Sequence, residues 1–398
     1  MANSLYAAFD RFPTRKGAST HIARFAPTLF DFTDGGLLYV LGDDTLPAHQ
    51  IEDGVEIIRF CQPVSNFLER AVAFGLQLER LLESRGDRLR ICHFRDPWSG
   101  VPILARDRGY ATVFEVNALP SIELPFAFPG IAPRTLEKIR ASEMFCLEQC
   151  DRIVTPSATT REMLCGLGID RRKISVIPNG ADLPSAQARP PQAPENYLLY
   201  FGALQAWQGV DVLLRAFSRL ADLDSLRLVI CGSARSREAR RLERLAERLG
   251  VTERIIWQWA LPNAELAPWL AHARMTVAPL RDCARNVVQG CAPLKILESM
   301  AAGVPVIASR LPAVSEILSD GHEGRLVAAD RPDELARAIR VLLAYPETAA
   351  RMGSAGRVRI TESFQWDHLL CQLRELYVTL CPPARPLAAS GAGDAIPA

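Results

Sequence analysis

The sequence predicts an α/β chain folded as two Rossmann-like domains that face each other across a cleft. Three observations lead there. From residue 88 onward, short apolar runs rich in β-branched residues alternate with amphipathic helical stretches; the alternation breaks once, at a proline-rich segment; and it then restarts. At 398 residues the chain has the length for two cores of ordinary size.

In the first half the expected strands are 89–94 (LRICHF), 111–117 (ATVFEVN), 152–157 (RIVTPS) and 174–180 (ISVIPNG), each followed by turn residues and a helix-like stretch. Residues 1–184 are the expected N-terminal domain. Residues 184–196 hold four prolines and little that is apolar, and 185–196 read as the linker. In the second domain, 197–363, the order is strand 197–202, helix 209–222, strand 226–232, helix 237–250, then strands 254–259 and 275–280. Within helix 209–222, Leu213, Phe217 and Leu220 share a core-facing stripe. Near the end, Leu369, Leu373, Leu376 and Leu380 lie on one face of a helix over 364–381, and the small, Pro- and Gly-rich tail 382–398 is expected to be disordered. Ligands of open α/β sheets lie beyond the carboxyl ends of the strands, so the cleft is the expected site.

Lysine plus arginine number 46 against 45 acidic residues, which argues against a nucleic-acid stripe. The ten cysteines form no CxxC pair, and Cys146 and Cys150 fall at helical spacing among apolar neighbours, so they read as reduced core thiols of a cytoplasmic protein. Six scattered histidines without an HExxH or a Cys/His cluster give a metal no support, and no cofactor is expected. No GxGxxG follows a strand and no GxxxxGK[ST] occurs, which disfavours a dehydrogenase and a P-loop NTPase. The N-terminus lacks the apolar core of a signal peptide, and no run reaches the roughly 18 to 20 apolar residues of a spanning helix. The expectation is a soluble protein whose membrane contact, if any, is peripheral, at the inner face.

The segment 289–309, QGCAPLKILESMAAGVPVIAS, carries two charges in an otherwise apolar run. It reads as a helix from about Pro293 to a terminator at Gly303, followed by a buried strand. The loop through Gly290 feeds that helix start, where free backbone N–H groups favour an anion. Lys295 in the first turn opposes the helix dipole yet suits a phosphate, and Glu298 one turn further in suits the paired hydroxyls of a ribose. The bland alternative is a surface Lys–Glu pair at i,i+3.

The motifs VIPNGAD (177–182), YFGALQAWQGVDVLLRAF (200–217), LVICGSA (228–234) and LESMAAGVPVIASRLPAVSEILSDGHEGRLV (297–327) resemble the retaining nucleotide-sugar glycosyltransferases of family 4. The resemblance implies the GT-B fold, with the helix after Phe364 crossing back to the first domain. It also implies transfer of a sugar from a nucleoside-diphosphate donor to a hydroxyl of a glycan or lipid-linked acceptor, in glycan, polysaccharide or glycolipid synthesis. At matching positions Glu298 would bind the donor ribose, and the small turn before it, with Gly290 and Leu294, the diphosphate. Gly17, in a loop that relatives place near the diphosphate, Gly202 and Asn286 join that donor-binding set.

This sequence departs from the family in three places. The first of two glutamates eight positions apart is replaced by Gly290, and Gln289 is the neutral substitute expected to contact the donor sugar. The Arg and Lys that follow the first donor-domain strand are replaced by Ala203 and Gln208, leaving Lys295, Arg281 and Arg285 as candidate cations. Where many relatives place a histidine in the acceptor domain stand Glu115 and Asn117, candidates for acting on the acceptor hydroxyl or supporting the developing charge. Arg95 and Asp96, after the strand 89–94, are the expected acceptor-binding residues. The rival readings keep the fold as a non-catalytic binder of a sugar nucleotide or partner transferase, or as an epimerase or phosphorylase.

Overall fold

The computed structural model describes residues 3–14, 17–233, 237–290 and 292–381. The tail expected to be disordered, 382–398, and Arg15 and Lys16 of the expected diphosphate loop lie outside the described residues.

The first sheet has eight strands: β1 (Ser4–Arg11), β2 (Gly36–Leu41), β3 (His49–Glu52), β4 (Val55–Phe60), β5 (Ile91–Phe94), β6 (Ala111–Glu115), β7 (Arg152–Thr155) and β8 (Ile174–Val176). Their spatial order is β3-β4-β2-β1-β5-β6-β7-β8, parallel throughout except for the β3/β4 hairpin at the edge. The second sheet has six: β9 (Tyr197–Gly202), β10 (Arg227–Gly232), β11 (Ile255–Trp259), β12 (Met275–Ala278), β13 (Val306–Ser309) and β14 (Gly324–Val327), in the order β11-β10-β9-β12-β13-β14 and all parallel.

Helices cover both faces of each sheet, so central strands are apolar on both sides. In β1, Leu5, Ala7 and Phe9 enter one core cluster while Tyr6 and Ala8 enter the other. In β10, Leu228 and Ile230 face one cluster while Val229 and Cys231 face the opposite one. Continuous apolar runs of this kind are what a parallel sheet buried on both faces requires.

The final helix, Trp366–Leu380, belongs to the first core. Trp366 lies edge-on to His21 and Phe25 of helix Gly17–Thr33, and the Tyr377 hydroxyl is 2.8 Å from Nδ1 of His93 on β5. Ala181 pairs with Gln365 in a single bridge, and its N–H donates to the Phe364 carbonyl at 2.9 Å. Among the described residues no helix is long and apolar enough to cross a membrane.

Candidate functional site

Strands β1, β5, β6, β9 and β10 all point their carboxyl ends at one cavity of about 660 Å³, within the range of small-molecule sites. From the first domain Asp10, Arg95 and Asn117 reach its wall; from the second come Gly202, Gly232 and Ser233, together with Lys295 and Glu298 on helix Leu294–Ala301.

That helix begins one residue later than expected, with Pro293 as its N-cap (φ −74°, ψ 113°) and no side-chain cap, and Gly303 follows it at φ +72°. The two charges do not pair with each other. Lys295 reaches across the cavity: Nζ donates to Gln208 Oε1 at 2.6 Å and to the Tyr200 hydroxyl at 3.0 Å, and sits 4.2 Å from the Tyr200 ring centroid. Glu298 lines the wall, and its carboxylate has no hydrogen-bond or ion-pair partner among the described residues. Burial pushes its carboxyl up to about 7, against the lowering influence of Lys295.

Gly17 opens helix Gly17–Thr33 directly across from this point. A Cβ there would stand 3.1 Å from Leu294 Cδ1, so the two helix starts approach closely, with both residues on the cavity wall. Gly202, at φ +119°, lies beside the Lys295 ammonium, where a Cβ would be 3.5 Å from Nζ. Gln208 and Arg285 also line the cavity; Arg285 is paired with Glu123 of the first domain at 2.6 Å and stacks over Trp207 at 4.8 Å.

Several expected residues stand elsewhere. Arg281 is tied to Asp211 and Asp330 and does not line the cavity, so its cation is already committed. Asn286 is buried as a brace, donating to the carbonyls of Trp207 and Arg281 at 3.0 and 2.9 Å. Gln289 is fully buried between the domains, where Oε1 accepts from the Leu119 N–H at 2.7 Å; a side chain used as an interdomain latch is not in place to contact a donor sugar. Gly290, at φ +83°, packs against the start of helix Ala158–Gly166: a Cβ there would be 3.0 Å from Thr160 Oγ1.

Of the acceptor-side residues, Arg95, Asp96 and Asn117 line the cavity and Glu115 does not. Glu115 is 1% exposed and is the centre of a buried cluster rather than a wall residue. It accepts from Arg95 Nε at 3.0 Å, from the Tyr6 hydroxyl at 2.6 Å and from Asn117 Nδ2, with His21 Nδ1 3.1 Å and His93 Nε2 3.3 Å away. Burial alone would raise its carboxyl, but the Arg95 guanidinium and the two imidazoles hold it well below the usual range. A carboxylate so enclosed, off the cavity wall, is not open to an acceptor hydroxyl. Asp96 is the N-cap of helix Pro97–Leu104, accepting from Ser99 N–H at 2.8 Å and Phe9 N–H at 2.6 Å. Arg95 lines the cavity and donates within the first domain from Nε to Glu115 and from Nη1 to Asp10 and the Ala18 carbonyl.

Among the wall residues that sequence reasoning did not single out are Asp10 at the end of β1 and His21 in the first helix. The signal was present: SLYAAFD is an apolar run closed by a polar residue, the same strand-end pattern that drew attention to the later strands.

Comparison with known proteins agrees with this architecture. A model described as Glycosyltransferase Family 4 matches residues 15–184, and one described as Glycosyl transferases group 1 matches residues 185–359. The chain is 26% identical over 297 residues to the D-inositol 3-phosphate glycosyltransferase of Thermobifida fusca (strain YX), covering 70% of this chain and 66% of that one. It is 26% identical over 374 residues to the glycogen synthase of Mycobacterium tuberculosis (strain ATCC 25618 / H37Rv), covering 93% and 85%. Among solved structures, sucrose-phosphate synthase from Thermosynechococcus elongatus superposes with a TM-score of 0.78 at 20% identity, over 95% of this chain and 99% of that one. Anabaena Alr3699/HepE in complex with UDP and glucose gives 0.74 at 16%, over 95% and 100%. At such identities the structural likeness speaks for the fold.

Proposed function

Since the chain belongs to the family 4 glycosyltransferases of the GT-B fold, we propose that it moves a sugar from a nucleoside-diphosphate donor to a hydroxyl acceptor with retention at the anomeric carbon. The observation that carries this reading is Glu298: a carboxylate on the cavity wall with no partner among the described residues, one helical turn beyond Lys295 and the start of its helix. A carboxylate suits the two hydroxyls of a ribose, and an ammonium in the first turn of a helix suits the diphosphate. The named ligands of Alr3699/HepE, UDP and glucose, are of this chemical class. Gln208 stands where relatives carry a cation, and Lys295 lies against it, bringing positive charge to that place.

Chemically the reading asks the protein for two things, stabilisation of the departing diphosphate and exclusion of water by the facing domains. Glu115, enclosed by its five partners, does not serve as a nucleophile. The departing phosphate then takes the proton of the incoming hydroxyl on the same face, which gives retention without a covalent intermediate. The acceptor, a glycan or a lipid-linked sugar, enters from the first domain, whose wall carries Phe9 and Trp98 beside Asp10 and Asn117.

A thermal-shift panel of UDP- and GDP-sugars tests this, because a ligand at about a hundred times its Kd adds roughly 2.7 kcal/mol. One nucleotide sugar is expected to raise Tm in the wild type and to do so at least tenfold more weakly, in concentration, in Glu298→Gln. If no nucleotide sugar raised Tm, or if Glu298→Gln bound it as tightly, the donor site would be elsewhere.

A further inference from the structure

Arg95 stands between two carboxylates. Its Nε donates to Glu115 Oε1 at 3.0 Å, while Nη1 donates to Asp10 Oδ2 at 3.1 Å and to the Ala18 carbonyl at 3.0 Å. Arg95 and Glu115 are both enclosed, their side chains 6% and 1% exposed, and their charges cancel. His93 adds no compensating cation, since burial holds its imidazole below its ordinary value. Asp10 is therefore a second anion on a guanidinium whose charge is already balanced.

Its position differs from that of its partners. The Asp10 side chain is 42% exposed, it follows the last buried residue of β1, and it lies on the cavity wall between the two domains. Oδ2 is turned to Arg95, and Oδ1 has no partner among the described residues. Nearby, Asn117 donates from Nδ2 to Glu115, and Asp96 accepts from Phe9 N–H and Ser99 N–H. One carboxylate oxygen with no partner among the described residues thus stands on the wall of the cavity, on a side chain anchored through its other oxygen.

We propose that Asp10 is an acceptor-binding residue that selects a vicinal diol: one hydroxyl attacks the anomeric carbon while its neighbour donates a hydrogen bond to Asp10 Oδ1. Arg95, held by Glu115, is the positioning residue that fixes the carboxylate. The inference rests on the transferase reading above. In the step, the bond from the anomeric carbon to the diphosphate breaks, the bond to the attacking oxygen forms, and the attacking hydroxyl's proton passes to the departing phosphate oxygen. Asp10 ends as it began, a carboxylate holding the neighbouring hydroxyl. The acceptor class is accordingly a carbohydrate or polyol with adjacent hydroxyls.

The test uses glycerol and 1-propanol as surrogate acceptors of equal carbon count, with the nucleotide sugar that most raises Tm as donor, and mass spectrometry to quantify the two glycosides. Wild type is expected to favour glycerol by about tenfold or more per attacking hydroxyl, the size of one hydrogen bond to a charged group. Asp10→Ala is expected to bring that ratio close to one, and Asp10→Asn, which keeps a neutral acceptor oxygen, to lie between. Donor KM and Tm should stay at wild-type values in both variants. An unchanged glycerol preference in Asp10→Ala, or a fall in Tm that Asp10→Asn shares, overturns the assignment and leaves the transferase reading standing. No donor turnover in the wild type overturns both.

Discussion

At the Glu298 carboxyl, stability and binding pull in opposite directions. Burial raises it to about 7, so the folded protein favours the neutral form. A folded-state value raised above the ordinary one gives stability that is fully present below the ordinary carboxylate pKa and is lost as pH rises through about 7. Glu298→Gln imitates the neutral form, and should be more stable than wild type at pH 8 by about 1–2 kcal/mol after discounting for its open cavity face. The gap should close toward pH 5, which urea unfolding at the two pH values measures. Donor affinity should run the other way, rising in the wild type as pH increases through this range, because only the carboxylate accepts from both ribose hydroxyls. Glu115 is the opposite case: Glu115→Ala removes the buried partner of the Arg95 guanidinium, leaving it the half-exposed Asp10, and should cost about 3 kcal/mol, read by urea unfolding as a shift in midpoint. The Lys295 and Glu298 positions were legible in the sequence because helical spacing and the preceding loop set them on one short element. The enclosure of Glu115 was not, because its partners Tyr6, His21, His93 and Arg95 come from three other elements that only the sheet order brings together.

Among elements, the strands from residue 89 onward were legible because each is an apolar run closed by turn residues, and the observed β5 to β13 fall within those runs. Strands β1 to β4 went unread although the clue is plain: Asp53 and Gly54 both have positive φ, 48° and 78°, and form the two-residue turn of the β3/β4 hairpin. Helix Ala158–Gly166 shows what no local pattern reveals. Its own N-cap, Ser157, accepts from Thr160 N–H at 3.1 Å and pairs with the Thr160 hydroxyl at 2.8 Å. The N–H groups of Ala158 and Thr159 instead donate to Glu316 of the second domain, at 2.7 and 2.8 Å, so one domain caps a helix of the other. Glu316→Ala should therefore cost about 0.5–2 kcal/mol, the usual worth of a cap. It should also raise the hydrogen-exchange rate of the first turn of that helix while leaving the neighbouring strand β7 protected. Equal loss of protection in β7 would mean that Glu316 supports the whole domain and not the junction.

For the whole molecule, the decisive feature is that the chain's last helix completes its first core. Trp366 is 2% exposed, and its ring lies 5.9 Å from His21 and 6.4 Å from Phe25. Gly180 passes so close that a Cβ would meet the Trp366 ring at 2.7 Å, so the chain following β8 is packed against the same side chain. Removing this ring leaves a cavity that rigid neighbours on helix Gly17–Thr33 cannot close, and Trp366→Ala should cost about 3–5 kcal/mol. The loss belongs to the first domain although the residue follows the second in sequence. Hydrogen exchange should accordingly show faster opening of β1, β5 and β6 with β9 and β10 protected as in the wild type. Leu342→Ala, in the second core, should give the reverse pattern. Because His21 also lines the cavity, Trp366→Ala should further lower donor turnover under conditions where the protein is still folded. If its exchange map matched that of Leu342→Ala, the final helix would be packing on the second domain in solution.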